Sequence, residues 1–136
     1  MSETFCVLPW THFFHDPTGK VMPCCSANCK MSNNKQPDYG NMRDYDTHMD
    51  IINQDDFNTL RLNMLEGKES TECQSCYNTE KHGGESFRQS KNTMLDQMIT
   101  MDEIEEMTNP DGSLKDFNMR YWDVRFSNVC NLSCRM

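Results

Sequence analysis

The sequence predicts a small, cysteine-rich α+β domain that a bound metal stabilises. Three observations lead to this prediction: a turn signal between two strand-like segments in residues 5–24, helical patterns after residue 53, and 8 cysteines among 136 residues. Only 36% of the residues are hydrophobic, and Met and Cys supply much of that share. Because a chain of this length buries a modest fraction of its surface, we expect metal binding to contribute to the folding free energy.

The β-hairpin is predicted from the first turn signal in the chain. Thr11–His15 and Lys20–Cys24 are the candidate strands, and Asp16-Pro17-Thr18-Gly19 lies between them. Proline presets φ in such a turn, and glycine permits a positive φ at its end. Residues 25–50 are polar with little periodicity, and they predict a long loop.

A helix is predicted next, with Asn53 as its cap and Asp55 and Asp56 in its first turn, where the helix dipole favours negative charge. Its apolar positions recur at helical spacing, and Arg61 interrupts them. Gly67 is a typical C-terminal stop. The predicted apolar stripe consists of Phe57, Leu60, Met64 and Leu65.

Further elements are predicted in the second half of the chain. A short helix through Lys81 begins near the C-x2-C pair at 73–76 and ends at Gly83-Gly84, and residues 86–108 have a helical pattern. Asn109-Pro110-Asp111-Gly112 is a strong break, and Tyr121–Phe126 alternates like a strand. One side of the 86–108 helix carries Met94, Met98, Met101 and Ile104, and its Met-rich face is expected to pack, with a barrel that is missing from this chain as the possible target.

Charge and hydropathy limit the compartment and the partners. The net charge of −8 argues against sequence-independent nucleic-acid binding, which requires a basic surface. No apolar run approaches the roughly 20 residues of a membrane span, and the N-terminus lacks the pattern of a signal peptide. We therefore expect a cytoplasmic, reducing compartment, where clustered cysteines more often bind metal than form disulfides.

Two cysteines near the C-terminal end, Cys130 and Cys134, have the spacing that begins a C-x3-C-x2-C pattern, whose third cysteine would be the next residue after Met136. Three thiolates can hold three irons of a 4Fe-4S cluster and leave the fourth iron to a ligand from outside the protein, whereas such clusters otherwise have four cysteine ligands. We therefore expect this chain to be the front end of a longer iron–sulfur protein.

Residues 124–136 resemble the first strand and cluster loop of the radical S-adenosylmethionine (SAM) enzymes. The resemblance implies that the strand opens a partial (β/α) barrel and that Cys130 and Cys134 are two of three ligands of the SAM-binding cluster. It also implies reductive cleavage of SAM to a 5′-deoxyadenosyl radical, with an electron from a protein such as ferredoxin or flavodoxin. Because the third ligand and the barrel are missing, we expect this chain alone to be inactive.

A second group of cysteines is spread over the first ninety residues in the order C-x12-G-x4-C followed by C-x2-C, and it comprises Cys6, Cys24, Cys73 and Cys76. This order resembles the Twitch domain, the shortened relative of the SPASM domain, which implies an auxiliary 4Fe-4S cluster on these four thiolates. Such domains usually follow the radical SAM barrel, whereas this one precedes it. Cys25 and Cys29 are surplus, and Cys25 remains an alternative to Cys24.

Two alternatives to an auxiliary cluster in a radical SAM enzyme remain open. Four-cysteine zinc sites use similar C-x2-C knuckles, so the chain could be a zinc-stabilised interaction module. It could also be an iron–sulfur electron carrier without SAM chemistry. The favoured hypothesis divides the chain into the auxiliary domain (1–90), a helical connector (91–118) and the start of a radical SAM core (119–136), with a peptide or protein as the possible substrate.

Several other aromatic, histidine and arginine side chains are expected to have structural rather than metal-binding roles. We expect Trp10 to anchor the core beside the metal site. His12 and His15 are expected on the polar face of a strand, with metal ligation as the less favoured alternative. Arg88 and Arg125 are expected in salt bridges with the many carboxylates, rather than against an anionic substrate or a cluster sulfide. The run Gly83–Arg88 also resembles the Twitch family, without an assignable role.

Overall fold

The computed structural model describes residues 2–28 and 37–123, which form a small α+β domain with one two-stranded hairpin. The helices are α1 (Leu8–Thr11), α2 (His48–Ile52), α3 (Asp55–Leu65), α4 (Gln74–Lys81), α5 (Phe87–Leu95) and α6 (Met101–Met107), and the strands are β1 (Phe14–His15) and β2 (Val21–Met22). Two 3-10 turns, Met42–Asp44 and Thr71–Cys73, lie between them. The predicted fold class is confirmed at this level.

The hairpin turn lies where the sequence predicts it, but the strands are shorter. Strands β1 and β2 are antiparallel, with Phe14 opposite Met22. The Oδ1 atom of Asp16 accepts hydrogen bonds from the backbone N–H groups of Thr18 at 2.8 Å and Lys20 at 3.1 Å. The predicted strand start at Thr11 is wrong, because residues 8–11 form α1 with a proline in its first turn, where the fixed φ suits a helix.

The long loop predicted for residues 25–50 contains two short helical elements in its described part. The turn Met42–Asp44 begins with a reciprocal capping box between Asn41 and Asp44, and α2 begins with another between Thr47 and Asp50. Each box satisfies two otherwise unpaired backbone groups, which stabilises even a single turn. The prediction was therefore wrong here, and residues 29–36 lie outside the described residues.

Helix α3 confirms the predicted helix with a small change at its start. Gln54, rather than Asn53, is the N-cap, and Phe57, Leu60 and Met64 are buried as predicted. Asn53 instead pairs with the backbone of Leu114: its Nδ2 donates to the carbonyl oxygen at 3.0 Å, and its Oδ1 accepts from the N–H at 2.8 Å. The asparagine thus ties the start of α3 to the segment after α6.

Arg61, predicted to interrupt the apolar stripe, is fully buried in it. Its Nε donates to the carbonyl oxygen of Pro9 at 2.9 Å, and its Nη1 donates to that of Gly112 at 2.8 Å. Further hydrogen bonds go to the carbonyl oxygen of Ile52 and to Asn58 Oδ1. Burial lowers the pKa of the guanidinium to about 9, so it remains protonated at neutral pH. One cation therefore joins α1, the end of α2 and the turn after α6.

The single helix predicted for residues 86–108 is two helices, α5 and α6. Thr100 starts the second one with a capping box, in which its N–H donates to Glu103 Oε2 at 2.8 Å. Leu95, Ile99 and Ile104 face the core, as the prediction had it for Ile104. Met94 and Met98 are 44% and 54% exposed, so they do not pack within the described residues, and their packing against a barrel stays a prediction.

The core surrounds α1. The indole of Trp10 is fully buried, packs against Phe5 with ring centroids 5.3 Å apart, and donates from Nε1 to Thr108 Oγ1 at 2.8 Å, as expected of a core anchor. His12 is buried too, so its predicted place on a polar face is wrong; its Nδ1 lies 2.9 Å from the carbonyl oxygen of Tyr121. His15 is half-buried at the hairpin, with its Nδ1 3.1 Å from the carbonyl oxygen of Asp16.

The predicted strand at Tyr121–Phe126 falls largely beyond the described part of the chain. Residues 121–123 are irregular, and residues 124–136 lie outside the described residues, which leaves the barrel strand a prediction. In residues 2–28 and 37–123, none of the helices combines the length and the apolar character that spanning a bilayer would demand.

The Arg61→Met variant should lose about 3 kcal/mol of unfolding free energy, because buried carbonyl groups would lose their charged donor. Urea unfolding of anaerobically purified protein measures the loss. Arg43→Met is the matched control, since Arg43 is exposed, and its change should stay within about 0.5 kcal/mol. Equal midpoints for the two variants would contradict the structural role assigned to Arg61.

Candidate metal centre

Four thiols line one small cavity between α1, the hairpin and α4. The cavity has a volume of about 20 Å³, and its apolar walls include Leu8, Ala27 and Phe87. The thiols come from three parts of the chain that lie far apart in sequence, and they belong to Cys6, Cys24, Cys73 and Cys76. We call this space the thiol cavity.

The first two cysteines of the cavity flank the hairpin in the sequence. Cys6 lies two residues before α1, and Cys24 lies two residues after β2. The loop after Cys24 is tied to the segment of the other two cysteines by two hydrogen bonds: Asn28 N–H donates to the carbonyl oxygen of Glu72 at 2.8 Å, and Ser75 Oγ donates to that of Ser26 at 3.0 Å. These bonds hold the two cysteine-bearing segments together.

The C-x2-C pair lies at a helical junction. Cys73 ends the 3-10 turn Thr71–Cys73 and is also the N-cap of α4, and Cys76 lies in the first turn of that helix. Residues three apart in a helical segment share a face, so both thiols can point to the same cavity. The short helix predicted here, ending at Gly83, is confirmed.

The thiols lie in a strongly desolvated environment. Burial, with a smaller contribution from the neighbouring Cys76, raises the pKa of Cys6 to about 12. Burial also raises the pKa of Cys24 and of Cys73, and in both the nearby Cys6 thiol is the next cause. As thiolates, the four cysteines would repel one another. The deprotonated form is therefore favoured in this cavity only when a bound cation displaces the protons.

The side chains at the thiol cavity suit a thiophilic metal or an iron–sulfur cluster. Glu72 also lines the cavity, and its carboxylate accepts a hydrogen bond from the hydroxyl of Tyr39 at 2.7 Å. Within residues 2–28 and 37–123, no three of the His, Cys, Asp and Glu side chains already have the arrangement of a site for one metal ion. A volume of 20 Å³ is little more than one water needs, so the thiols would have to rotate outward around a cluster.

Cys25, the alternative that the sequence left open, does not line the thiol cavity. Its Sγ lies 4.0 Å from Ser26 Oγ, and its side chain is half-buried. The geometry therefore favours Cys24 as the fourth thiol. Cys29, Cys130 and Cys134 lie outside the described residues, so their predicted roles stay predictions.

Arg88 is a wall residue of the thiol cavity. From the sequence, a place beside a cluster was only the less favoured alternative to a salt bridge. Its Nε donates to Glu80 Oε1 at 3.0 Å, and its Nη2 forms an ion pair with Glu80 Oε2, which confirms the expected salt bridge. Its Nη1 donates to the carbonyl oxygen of Phe5 at 2.6 Å. An ordinary surface ion pair would have the same sequence signal, so the expected salt bridge did not indicate that Arg88 would line the cavity. Arg125 lies outside the described residues.

Ser86 gives the Gly83–Arg88 run a structural role, because it caps the helix α5. It caps α5 in a reciprocal box with Gln89, with both hydrogen bonds at 3.1 Å, and its hydroxyl also donates to Glu80. Gly84 allows the close approach to α4, since a Cβ there would lie 2.9 Å from Thr79 Cγ2. The S-x-x-Q capping pattern could have been recognised in the sequence.

The Ser86→Ala variant should lower the unfolding free energy by about 1 kcal/mol, because the buried N-terminus of α5 would lose its cap. Ser90→Ala, an exposed change within the same helix, is the control and should be nearly neutral. Urea unfolding under anaerobic conditions compares the two. A Ser86 variant as stable as the control would contradict the capping role.

Comparison with known proteins agrees with this geometry. Residues 6–77, more than half of the chain, match SPASM, described as an iron-sulfur cluster-binding domain. The matched span includes all four cysteines of the thiol cavity. No curated protein and no solved structure matches the chain. The family match indicates iron–sulfur cluster binding, and the chain belongs to the SPASM family of iron–sulfur cluster-binding domains.

Proposed function

We propose that the thiol cavity holds an auxiliary 4Fe-4S cluster, with Cys6, Cys24, Cys73 and Cys76 as its ligands. The observation that carries the proposal is the convergence of these four thiols, from three distant segments, on one buried cavity. Bound there, such a cluster supplies one-electron chemistry. The protein supplies four sulfur donors in fixed segments and an apolar surrounding.

The surrounding residues support an electron-transfer centre that is closed to ligands, rather than an open metal site. Leu8, Ala27 and Phe87 limit the access of water, and the hydrophobic shell of a metal site influences its redox potential. The family match favours iron and sulfide over zinc, although the donor set itself suits both.

Metal analysis of anaerobically purified protein tests this assignment. We expect a brown protein with near-stoichiometric iron and acid-labile sulfide, about four of each per chain. Serine variants of the four ligands should lose most of the iron, because an alcohol is a poor substitute for a thiolate. Cys25→Ser is the matched control next to Cys24→Ser, and it should retain wild-type iron.

Three outcomes would refute the assignment. A colourless protein with one zinc per chain would identify a structural zinc site. Equal iron losses in the Cys24 and Cys25 variants would reject the ligand choice. Full iron in the Cys73→Ser or Cys76→Ser variant would show that the cluster lies elsewhere.

We also propose that this domain precedes a radical SAM core. The support is the sequence of residues 124–136, where Cys130 and Cys134 have the spacing of two SAM-cluster ligands. Bound at such a site, a cluster and SAM would supply the 5′-deoxyadenosyl radical. In this proposal a ferredoxin- or flavodoxin-like protein delivers the electron, and a peptide or protein is the substrate.

A longer gene product tests the second proposal. The codon after Met136 should encode cysteine, and the extended protein, reduced anaerobically with dithionite, should convert SAM to 5′-deoxyadenosine. Serine at Cys130 or Cys134 should abolish this product and halve the iron content, since the auxiliary cluster remains. A non-cysteine codon, or product formation that survives both variants, would reject the proposal.

A further inference from the structure

The ion pair of Arg88 and Glu80 separates two spaces of different character. Arg88 lines the thiol cavity, whereas Glu80 does not. Both residues line a neighbouring open groove of about 570 Å³, together with Tyr77 and Lys81. Arg88 is therefore shared by the two spaces, whereas Glu80 lies on the groove side alone.

Arg88 is held in this orientation from several sides. Its side chain is only 9% exposed, against 18% for Glu80, and its guanidinium carbon lies 5.8 Å from the centre of the Tyr77 ring. Its Nη1 donates to the carbonyl oxygen of Phe5, the residue before Cys6. Asn92 also donates to that oxygen, at 2.9 Å.

The backbone on both sides of Cys6 is thus attached to α5. Asn92 Oδ1 accepts a hydrogen bond from Val7 N–H at 2.9 Å, which complements its bond to Phe5. The guanidinium is therefore fixed relative to the backbone that carries Cys6.

We propose that Arg88 is a positioning residue that sets the reduction potential of the cluster in the thiol cavity, raising it by its positive charge, and that Glu80 opposes this effect from the groove side. This inference rests on the proposed cluster site.

The expected sign follows from electrostatics. One-electron reduction adds a negative charge to the cluster and its four thiolates. A fixed cation in a poorly solvated wall stabilises the reduced form more than the oxidised form, since its attraction is less screened than in water. Glu80 is farther into solvent, so its opposing effect should be smaller than that of Arg88.

The experiment is a redox titration with dithionite as the electron donor, followed by electron paramagnetic resonance of the reduced cluster. Arg88→Met should lower the equilibrium constant for one-electron reduction about tenfold, which corresponds to about 59 mV. Arg88→Lys keeps the charge and should stay near the wild-type potential. Glu80→Gln should shift the potential upward by a smaller amount.

The outcomes separate this inference from the cluster assignment. If wild-type protein binds no cluster, the proposed function fails. If iron is retained and Arg88→Met keeps the wild-type potential, or Arg88→Lys falls as far as Arg88→Met, the charge has no tuning role. If the Arg88→Met variant does not retain its cluster, the Glu80→Gln variant decides the question. A reduction potential of that variant that equals or lies below the wild-type value overturns the inference.

Discussion

The placement of four sulfur atoms in one apolar cavity is the constraint on which the rest of this domain depends. Thiolates are unfavourable there without a cation, because burial and mutual repulsion both favour the protonated form. The segments around the cavity are short, and hydrogen bonds rather than extensive sheets hold them in place. Metal binding and folding are therefore expected to be strongly coupled in this chain.

Two buried arginines organise the structure on either side of α1. Arg61 donates hydrogen bonds to backbone carbonyl groups in three segments, including that of Pro9 within α1. Arg88 joins α4 and α5 to the backbone beside Cys6. A buried guanidinium can satisfy several acceptors at once, which suits a small domain whose loops leave many carbonyl groups unpaired by regular structure.

The sequence predicted those parts of the fold that are determined by interactions between residues close together in the chain. The hairpin turn at residues 16–19, helix α3 and the helix after Cys73 follow from turn and helix signals within a few residues. The cysteine spacing predicted which thiols would converge and preferred Cys24 to Cys25, and the folded geometry favours the same choice. The burial of Arg61 and Arg88 depends on carbonyl groups that are tens of residues away in sequence, so no local pattern could reveal it.

The contacts of α1 with the later segment have a mechanical consequence. The carbonyl oxygen of Thr11 accepts a hydrogen bond from Arg120 N–H at 2.9 Å, and His12 bonds to Tyr121. The helix that follows Cys6 thereby anchors the residues that lead toward Cys130. A displacement of α1 when the cavity expands around its occupant would therefore also move the backbone of residues 120–121, although these residues lie more than 100 positions away in the sequence.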